Sequence, residues 1–216
     1  MSQSDLKEIL SKGLRQLNLA QSLDEKQQAS LIKYVELLEK WNKTYNLTAV
    51  RKPEQMVTRH LLDSLSICPY IRGKHILDVG TGAGLPGIPL AIVFPEKQFT
   101  LLDSNNKKTR FVVQAVSELE LPNVDVVQSR VENFQFSELF DTITTRAYSA
   151  IDEMVQQTSH LLANEGVFLA MKGANPVAEI DEMSSKYVVN ESHIIRVPGL
   201  EEERHLLEIK KVSESN

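Results

Sequence analysis

The stretch "HILDVGTGAGLPGIPLAI", residues 75–92, holds four of the nine glycines in this chain of 216 residues. An apolar run ends at an acid, the glycines follow at positions 80, 82, 84 and 87, and a second apolar run then begins. Glycine permits positive φ and lets a ligand lie directly on the backbone. A tight turn needs only one such residue, so three glycines at alternate positions predict a strand-to-helix loop that a ligand approaches closely.

The sequence after this stretch alternates short apolar runs, rich in β-branched residues, with helical patterns. Strands are predicted at 75–79, 98–103, 124–128, 140–145 and 166–171, and helices near 85–94, 107–119, 150–162 and 176–185. This alternation predicts an α/β fold whose parallel sheet is covered by helices on both faces. The segments "KYVVNESHIIRV" and "EEERHLLEIKKV", separated by Pro-Gly, predict a C-terminal hairpin that adds an antiparallel edge strand.

Residues 1 to about 70 have a different texture, which predicts an N-terminal helical extension (1–70) before the main domain (71–216). Apolar residues between 31 and 45 fall on one helical face. That spacing favours core packing for Trp41 and Tyr45 over stacking on a nucleic-acid base. Ser22, with Glu25 three residues later, predicts a capping box, and Pro53 suits the first turn of a further helix.

The composition limits the class of protein. The net charge is −5, whereas general nucleic-acid binders usually carry a basic footprint, so an RNA substrate would need a local basic surface. The single cysteine, Cys68, excludes an intramolecular disulfide and a cysteine zinc site; we expect it to be buried, and we expect no metal. No apolar run approaches the roughly 18 residues of a membrane span. The polar N-terminus does not resemble a signal peptide, so a cytoplasmic location without a membrane partner is expected. A monomer is the default expectation.

The type of cofactor follows from the glycines and the second strand. That strand ends at Asp103, where an acid can accept hydrogen bonds from ribose hydroxyls or cap the next helix. A dinucleotide fingerprint would need a glycine where Leu85 stands, and the Lys-Ser/Thr of a P-loop is absent. The form Asp-x-Gly-x-Gly-x-Gly, from Asp78 to Gly84, resembles motif I of class I S-adenosylmethionine-dependent methyltransferases.

The predicted fourth strand restricts the chemistry of methyl transfer. Arg146, Ala147 and Tyr148 follow it, in place of the Pro-Pro-aromatic motif typical of adenine amine methylation. Carbon-5 methylation of pyrimidines needs a nucleophilic cysteine, and Cys68 precedes the cofactor motif in an apolar helix. A nucleophile that needs little activation remains. Guanine N7 is one, because its lone pair is free, but other easy nucleophiles fit as well. His60 is accordingly predicted to be structural.

Further stretches extend the resemblance well beyond motif I. They are "EKWNKTYNLTAV" (39–50), "RHLLDSL" (59–65), "LLDSNNKKTRF" (101–111), "SRVENF" (129–134), "TTRAYS" (144–149) and "MKG" (171–173). With "ILDVGTGAGLPGIPLAI" they resemble the bacterial small-subunit rRNA guanine-N7 methyltransferases, the RsmG or GidB family, over about 40–175. The resemblance implies a class I methyltransferase fold with S-adenosylmethionine as cofactor. It also implies methylation of guanine N7 in the 530 loop (position 527) of 16S rRNA, with that RNA or the small ribosomal subunit as partner.

The motif and the resemblance together predict the functional residues. Predicted cofactor contacts are Asp78, Gly80, Thr81, Gly82, Gly84, Leu85, Asp103, Ser104, Val131, Glu132 and Arg146. Arg146 is also predicted to position the substrate, with no general base. Predicted RNA contacts are Arg51, Lys52, Arg59, Lys107, Lys108, Arg110, Arg130 and Lys172. Two alternatives remain: a small-molecule methyltransferase, which would have an apolar pocket without a basic rim, and a non-catalytic ribosome assembly factor.

Overall fold

The computed structural model describes residues 2–146, 150–173, 176–181, 183–184 and 186–212. Ala147 and Tyr148, which the sequence places after the fourth strand, lie outside the described residues. Among the described residues, no helix combines the length and apolar character that a membrane span requires.

A seven-stranded sheet has the order β3-β2-β1-β4-β5-β7-β6. The strands are β1 (His75–Val79), β2 (Gln98–Asp103), β3 (Val124–Gln128), β4 (Phe140–Thr145), β5 (Leu162–Lys172), β6 (Tyr187–Ile195) and β7 (Arg204–Lys211). The first five strands are parallel. The C-terminal hairpin supplies two antiparallel strands, with β7 paired to β5 and β6 at the edge. This arrangement confirms the predicted α/β class and the antiparallel edge.

The helices surround this sheet and precede it. They are α1 (Gln3–Gln16), α2 (Glu25–Tyr45), α3 (Pro53–Met56), α4 (Asp63–Leu65), α5 (Gly87–Val93), α6 (Asn106–Leu119), α7 (Ile151–Thr158) and α8 (Val177–Asp181). A π-helical turn, Val57–Leu62, joins α3 to α4 without a break. Short 3-10 turns span Cys68–Tyr70, Val131–Asn133 and Ser159–Leu161.

Three predictions about helices were wrong in detail. The capping box of α2 is formed by Asp24 and Gln27, two residues beyond the predicted Ser22 and Glu25. The helix predicted over 150–162 changes to a 3-10 turn after Thr158. The helix predicted over 176–185 is described only over Val177–Asp181 and buries none of its residues. Without a buried face, little packing energy extends that helix.

The two faces of the sheet have separate apolar cores. One contains Leu77 and Phe168 and packs against α7. The other contains Ile76 and Phe99 and includes the buried leucines of α1 and α2 together with α5 and α6. Cys68 is buried there, as predicted. The extension predicted for residues 1–70 is therefore continuous with the core of the main domain.

Helix α2 runs along the sheet toward the carboxyl ends of the parallel strands. Near its start, Gln27 Nε2 donates to the carbonyl of Ile92, at the far end of α5. In its middle, the Tyr34 hydroxyl donates to the carbonyl of Ala83 in the glycine loop, at 2.6 Å. Trp41 then packs on Phe111 of α6, with ring centroids 5.6 Å apart. Its last residue, Tyr45, is 43% exposed. The core-packing prediction is confirmed for Trp41, which lies against the core, and wrong for Tyr45.

Candidate active site

The carboxyl ends of β1 and β4 mark the place where ligands bind in an open α/β sheet. β1 lies between β2 and β4, so the strand order reverses beside it. The loops that leave these two strands diverge and form a crevice at this switch point. The glycine loop follows β1, and Arg146 follows β4 directly.

The four glycines of the first loop divide into two pairs. Gly80 and Gly82 have positive φ (69° and 62°), and a Cβ added at Gly80 would meet nothing within 4 Å. At Gly82 the nearest atom to such a Cβ would be a backbone oxygen 3.8 Å away. Gly84 and Gly87 are different, because a Cβ there would collide with Ile88 and with Leu101. The first pair therefore leaves open space for a ligand, and the second pair allows close packing of α5 on the sheet.

Asp78 supports this loop from below. Its side chain is fully buried, and Oδ2 accepts hydrogen bonds from the Thr81 hydroxyl (2.6 Å) and the Gly87 amide (2.8 Å). Burial raises the pKa of Asp78 from 3.8 to about 6, although these two hydrogen bonds lower it. Asp78 and Thr81 were predicted to bind cofactor; the structure places both side chains inside the loop, where they fix its shape.

Asp103 lies at the end of β2 and faces the glycine loop. Its Oδ2 accepts from the Gly82 amide and its Oδ1 from the Asn105 amide, both at 2.8 Å. Asn105, rather than Asp103, caps α6, because its side chain accepts from the amides of Lys107 and Lys108. Each carboxylate oxygen can accept more than one hydrogen bond, so Asp103 retains capacity for ribose hydroxyls.

A cleft of about 210 Å³ opens beside Gly80 and Asp103, between the ends of β1, β2 and β3. Ser104, Val131 and Glu132, which were predicted to contact the cofactor, also line it, and so does the neighbouring Arg130. Val131 is buried and Glu132 is exposed, both in the 3-10 turn after β3. The open space over Gly80 and Gly82, with an acid at the strand end, fits a nucleoside-bearing cofactor.

Sequence reasoning missed two residues of this cleft, and two predicted residues have surroundings that it did not indicate. Ser129 and Gln157 line its wall, and no spacing rule links Gln157 of α7 to the glycine loop. Leu85 was predicted to bind cofactor, but its side chain is buried in the core and its amide donates to the Thr81 carbonyl. Arg130, which was predicted to bind RNA, is exposed and also lines this cleft.

A second cluster of charges lies where β4 ends. Arg146 Nη1 donates to Asp63 Oδ2 and to the backbone carbonyl of Arg59, both at 3.2 Å. Asp63 is buried and its other oxygen accepts from Arg204 Nε of β7, also at 3.2 Å. Two guanidinium groups therefore neutralise one buried carboxylate, which fixes the side chain of Arg146 beside the crevice.

His60 is buried next to this cluster. Its Nε2 is 2.9 Å from the Thr48 hydroxyl and its Nδ1 is 3.0 Å from the carbonyl of Arg59. Burial, together with the nearby charge of Arg146, lowers the pKa of His60 from 6.5 to about 4. Both ring nitrogens thus have partners within the fold, which agrees with the predicted structural role.

Residues 27–207 match the protein family described as rRNA small subunit methyltransferase G, GidB. The chain belongs to this family. It is 49% identical over 215 residues to ribosomal RNA small subunit methyltransferase G of Stutzerimonas stutzeri, an alignment that covers 99% of each chain. The same-named protein of Marinobacter nauticus is 54% identical over 198 residues, with 92% of each chain covered.

Solved structures show the same fold at low sequence identity. The glycopeptide N-methyltransferase MtfA in complex with S-adenosyl-L-homocysteine matches with a TM-score of 0.61 and 12% identity, over 71% of this chain and 87% of that one. TrmN of Thermus thermophilus matches with a TM-score of 0.54 and 14% identity, over 79% of this chain and 53% of that one. The class I methyltransferase fold predicted from the sequence is therefore confirmed.

The cations predicted to contact RNA in this GidB-family chain differ in their environments. Arg51, Lys52, Lys107 and Arg110 are exposed, and Lys108 is half-buried. Arg59 is paired with Glu202 at 2.5 Å. Lys172 is paired with Glu179 at 2.6 Å, and only 11% of its side chain is exposed. The exposed cations lie around α6 and after α2, whereas Arg59 and Lys172 are already paired with acids, 143 and 7 positions away in the chain.

One group of possible metal ligands lies at the sheet edge, away from the glycine loop. Glu191 and His193 of β6 and Glu208 of β7 bring their ligand atoms within 4.8 Å of one another. Arg72 Nη2 is 2.6 Å from Glu208 Oε2, so the buried carboxylate already has a positive partner. The cluster is thereby explained as an ion-pair network.

Proposed function

We propose that the chain transfers a methyl group from S-adenosylmethionine to N7 of a guanine in 16S rRNA, in the 530 loop. The observation that carries this proposal is the open cradle over Gly80 and Gly82, flanked by Asp103, in a member of the rRNA small subunit methyltransferase G family. The choice of guanine N7 rests on the resemblance, and it agrees with a site in which both nitrogens of His60 are occupied by structural contacts.

The cofactor would lie along the carboxyl ends of β1 to β3. Asp103 would accept the ribose hydroxyls, while the backbone of Gly80 and Gly82 would contact the amino-acid end. Val131 and Glu132 would flank the adenine. When bound, the cofactor supplies a methyl group on a positively charged sulfur, which a lone pair can attack directly. The chain must then position two reactants rather than remove a proton.

Arg146 is proposed to orient the guanine. Asp63 and the carbonyl of Arg59 hold its guanidinium beside the crevice. On guanine, N7 and O6 are neighbouring acceptors on one edge. A donor aimed at O6 would leave N7 free and turn it toward the methyl group. Fixed donors of this kind act chiefly by preorganisation.

The RNA must present its target base outside a regular helix. The major groove of A-form RNA, where N7 lies, is deep and narrow, so a protein reaches N7 more readily in a loop. Arg51, Lys52, Lys107, Lys108 and Arg110 would neutralise phosphates around the crevice. We propose that the chain acts on 16S rRNA or the small subunit as a cytoplasmic monomer; light scattering of the purified protein tests the oligomeric state.

The decisive experiment combines the reaction with chemical mapping of its product. 16S rRNA and small ribosomal subunits from cells lacking this enzyme are incubated with the protein and S-adenosylmethionine. Borohydride–aniline treatment then cleaves at N7-methylguanine, and primer extension locates the cut. We expect one cofactor-dependent cut in the 530 loop, and none with Asp103→Ala. No cut in either substrate, with cofactor binding confirmed separately, would favour a small-molecule acceptor or a non-catalytic assembly factor.

A further inference from the structure

The C-terminal turn of α2 carries two aromatic rings in tilted contact, and the outer ring is exposed to solvent. The centroids of Trp41 and Tyr45 are 5.1 Å apart, with an interplanar angle of 33°. Trp41 is anchored on its other side by Phe111. Tyr45 is the outer ring of this pair and is 43% exposed. The ring of Tyr45 therefore offers an aromatic surface, and the ring of Trp41 behind it packs against the core.

Basic residues lie near this surface. Lys40 of α2 is exposed, and so are Arg51 and Lys52 in the loop that follows, whereas Lys43 is paired with Glu39 at 2.9 Å. Arg51 is held close to the end of the helix, because its guanidinium donates to the carbonyl of Asn42 and to Asn46 Oδ1. On the side of α6, Trp41 shares a shallow groove of about 320 Å³ with Arg110. Aromatic rings among cations are typical of surfaces that bind single-stranded nucleic acid.

The aromatic surface is connected to the methyl-transfer edge by direct contacts. Asn42, one turn before Tyr45, accepts a hydrogen bond from the Thr48 amide at 2.9 Å. The Thr48 hydroxyl contacts His60, which adjoins the Arg59 carbonyl that Arg146 also contacts. A continuous series of hydrogen-bonded residues thus connects the end of α2, where Tyr45 lies, to Arg146, the residue proposed to orient the target base.

A comparison within the chain shows that this environment is specific. Among the described residues, Tyr45 and Phe136 are the exposed aromatics, at 43% and 41%. Phe136 likewise contacts an aromatic neighbour, with its ring centroid 5.2 Å from that of Phe140. Phe140 begins β4, so Phe136 lies at the opposite end of the sheet, near the exposed acid Glu138. Similar exposure and a close aromatic neighbour therefore occur once beside cations and once beside an acid.

We propose that Tyr45, backed by Trp41, stacks on an unpaired base of the RNA substrate next to the target guanine. This inference rests on the proposed rRNA methyltransferase function and adds a base contact to it. The cations around the surface would hold the flanking phosphates, while the ring accepts any base, because every base has a π face. The surface is thereby assigned to single-stranded RNA rather than to a protein partner.

The test compares three variants with the wild-type chain: Tyr45→Ala, Tyr45→Phe and the matched control Phe136→Ala. The first readout is affinity for a labelled single-stranded RNA of mixed sequence, measured by fluorescence anisotropy at low salt. The second is the KM for 16S rRNA or small subunits in the methylation assay. Calorimetric affinity for S-adenosylhomocysteine and the thermal unfolding midpoint report on the cofactor site and on folding.

Stacking predicts that Tyr45→Ala weakens RNA affinity by at least about fivefold. Tyr45→Phe and Phe136→Ala should stay within about twofold of wild type, since the first keeps the ring and the second lies remote from the cations. Cofactor affinity should be unchanged in all three. Unchanged RNA affinity in Tyr45→Ala would overturn the proposal. So would a raised KM for small subunits without any loss of affinity for free RNA, which would assign the surface to a ribosomal protein. Failure of the proposed function is separate, since wild-type protein would then methylate neither substrate.

Discussion

At the scale of single residues, different positions of the glycine motif require glycine for different physical reasons. Gly80 and Gly84 both have positive φ (69° and 85°), so each would strain a side chain. Only at Gly84 would a Cβ also collide with a neighbour, at 2.5 Å from Ile88 Cδ1. We predict that Gly80→Ala lowers the affinity for the cofactor. Backbone strain should also lower the free energy of unfolding by about 1–2 kcal/mol.

Gly84→Ala provides the matched comparison. It should lose clearly more stability than Gly80→Ala, because overpacking adds about 1–3 kcal/mol to the backbone strain. Urea unfolding measures the stability, and calorimetric titration with S-adenosylhomocysteine measures the affinity. Equal stabilities of the two variants, or unchanged affinity in Gly80→Ala, would contradict the division of roles.

Asp103 permits a direct test of the cofactor cleft. We predict that Asp103→Ala lowers cofactor affinity by about 10- to 100-fold, the value of hydrogen bonds to a charged group. The matched control is Asp125→Ala, an exposed carboxylate on neighbouring β3 that does not line the cleft. Circular dichroism should show that both variants remain folded. Unchanged affinity in Asp103→Ala would remove this carboxylate from the ribose role.

Residue roles could be predicted from the sequence only where the partner is near in the chain. The spacing of Asp103 from the glycines indicated its place, because both follow adjacent strands. The partners of Arg59 and Arg146 were not predictable, since Glu202 lies 143 positions from Arg59 and Asp63 lies 83 from Arg146. For Lys172 the partner Glu179 lies only seven positions away, but a count of charges does not show which of them the fold pairs.

At the scale of elements, the π-helical turn Val57–Leu62 buries a titratable group. The pKa of His60 falls from 6.5 to about 4 in the fold. As the pH falls below about 6.5, this histidine is therefore protonated in the unfolded chain but not in the folded one. The free energy of unfolding decreases as a result until the pH reaches about 4. Asp78 acts oppositely: its raised pKa, about 6, makes the folded chain bind the proton first between about pH 6 and 4.

We predict that the two contributions partly cancel in wild type and separate in His60→Gln. Between pH 7 and 5, protonation of this histidine in the unfolded chain lowers the free energy of unfolding of wild type by about 2 kcal/mol. The variant lacks this group, so its free energy of unfolding should fall by about 2 kcal/mol less over the same range. Urea unfolding at the two pH values measures it, and NMR titration reports the histidine itself. A His60 resonance that titrates near 6.5 would contradict the prediction.

Strand boundaries were predictable where a short run rich in apolar and β-branched residues covers the strand. The first four strands have the predicted bounds for this reason. β5 begins at Leu162, four residues before the predicted 166, because a register shift beside Phe140 admits the exposed residues Asn164 and Glu165. The capping box was displaced to Asp24, since both positions offer an oxygen of suitable chemistry and only the packing of α2 decides between them.

At the scale of the whole molecule, the N-terminal helices share the core of the sheet. Leu10 and Leu14 of α1 belong to the same apolar cluster as Phe99 of β2, and Gly13 lets α1 pack closely on Leu62. The boundary predicted near residue 70 marks a change from helices to strands. We predict a single cooperative thermal transition for the full chain, and no stable fold for residues 71–216 alone. A folded, cofactor-binding 71–216 fragment would instead support two independent domains.

The distribution of charge over the whole molecule determines where it can bind RNA. A chain of net charge −5 would repel RNA unless its cations converge on one face. Exposed Lys107 and Arg110 lie in α6 beside the crevice, whereas Lys26 and Lys33 lie in the first half of α2, toward the amino ends of the strands. If the first pair contacts phosphates, each cation releases counterions on binding, and the logarithm of the affinity falls linearly with the logarithm of the salt concentration.

Removing Lys107 and Arg110 together, as alanines, should therefore reduce the salt slope for RNA binding by about 1.4–1.8. The paired control, Lys26→Ala with Lys33→Ala, removes the same net charge and should leave the slope unchanged. Anisotropy titrations of the same RNA at several salt concentrations measure both slopes, with cofactor affinity as the folding control. Equal loss of slope in the two double variants would mean that RNA senses only net charge, and the localised basic surface would then have no support.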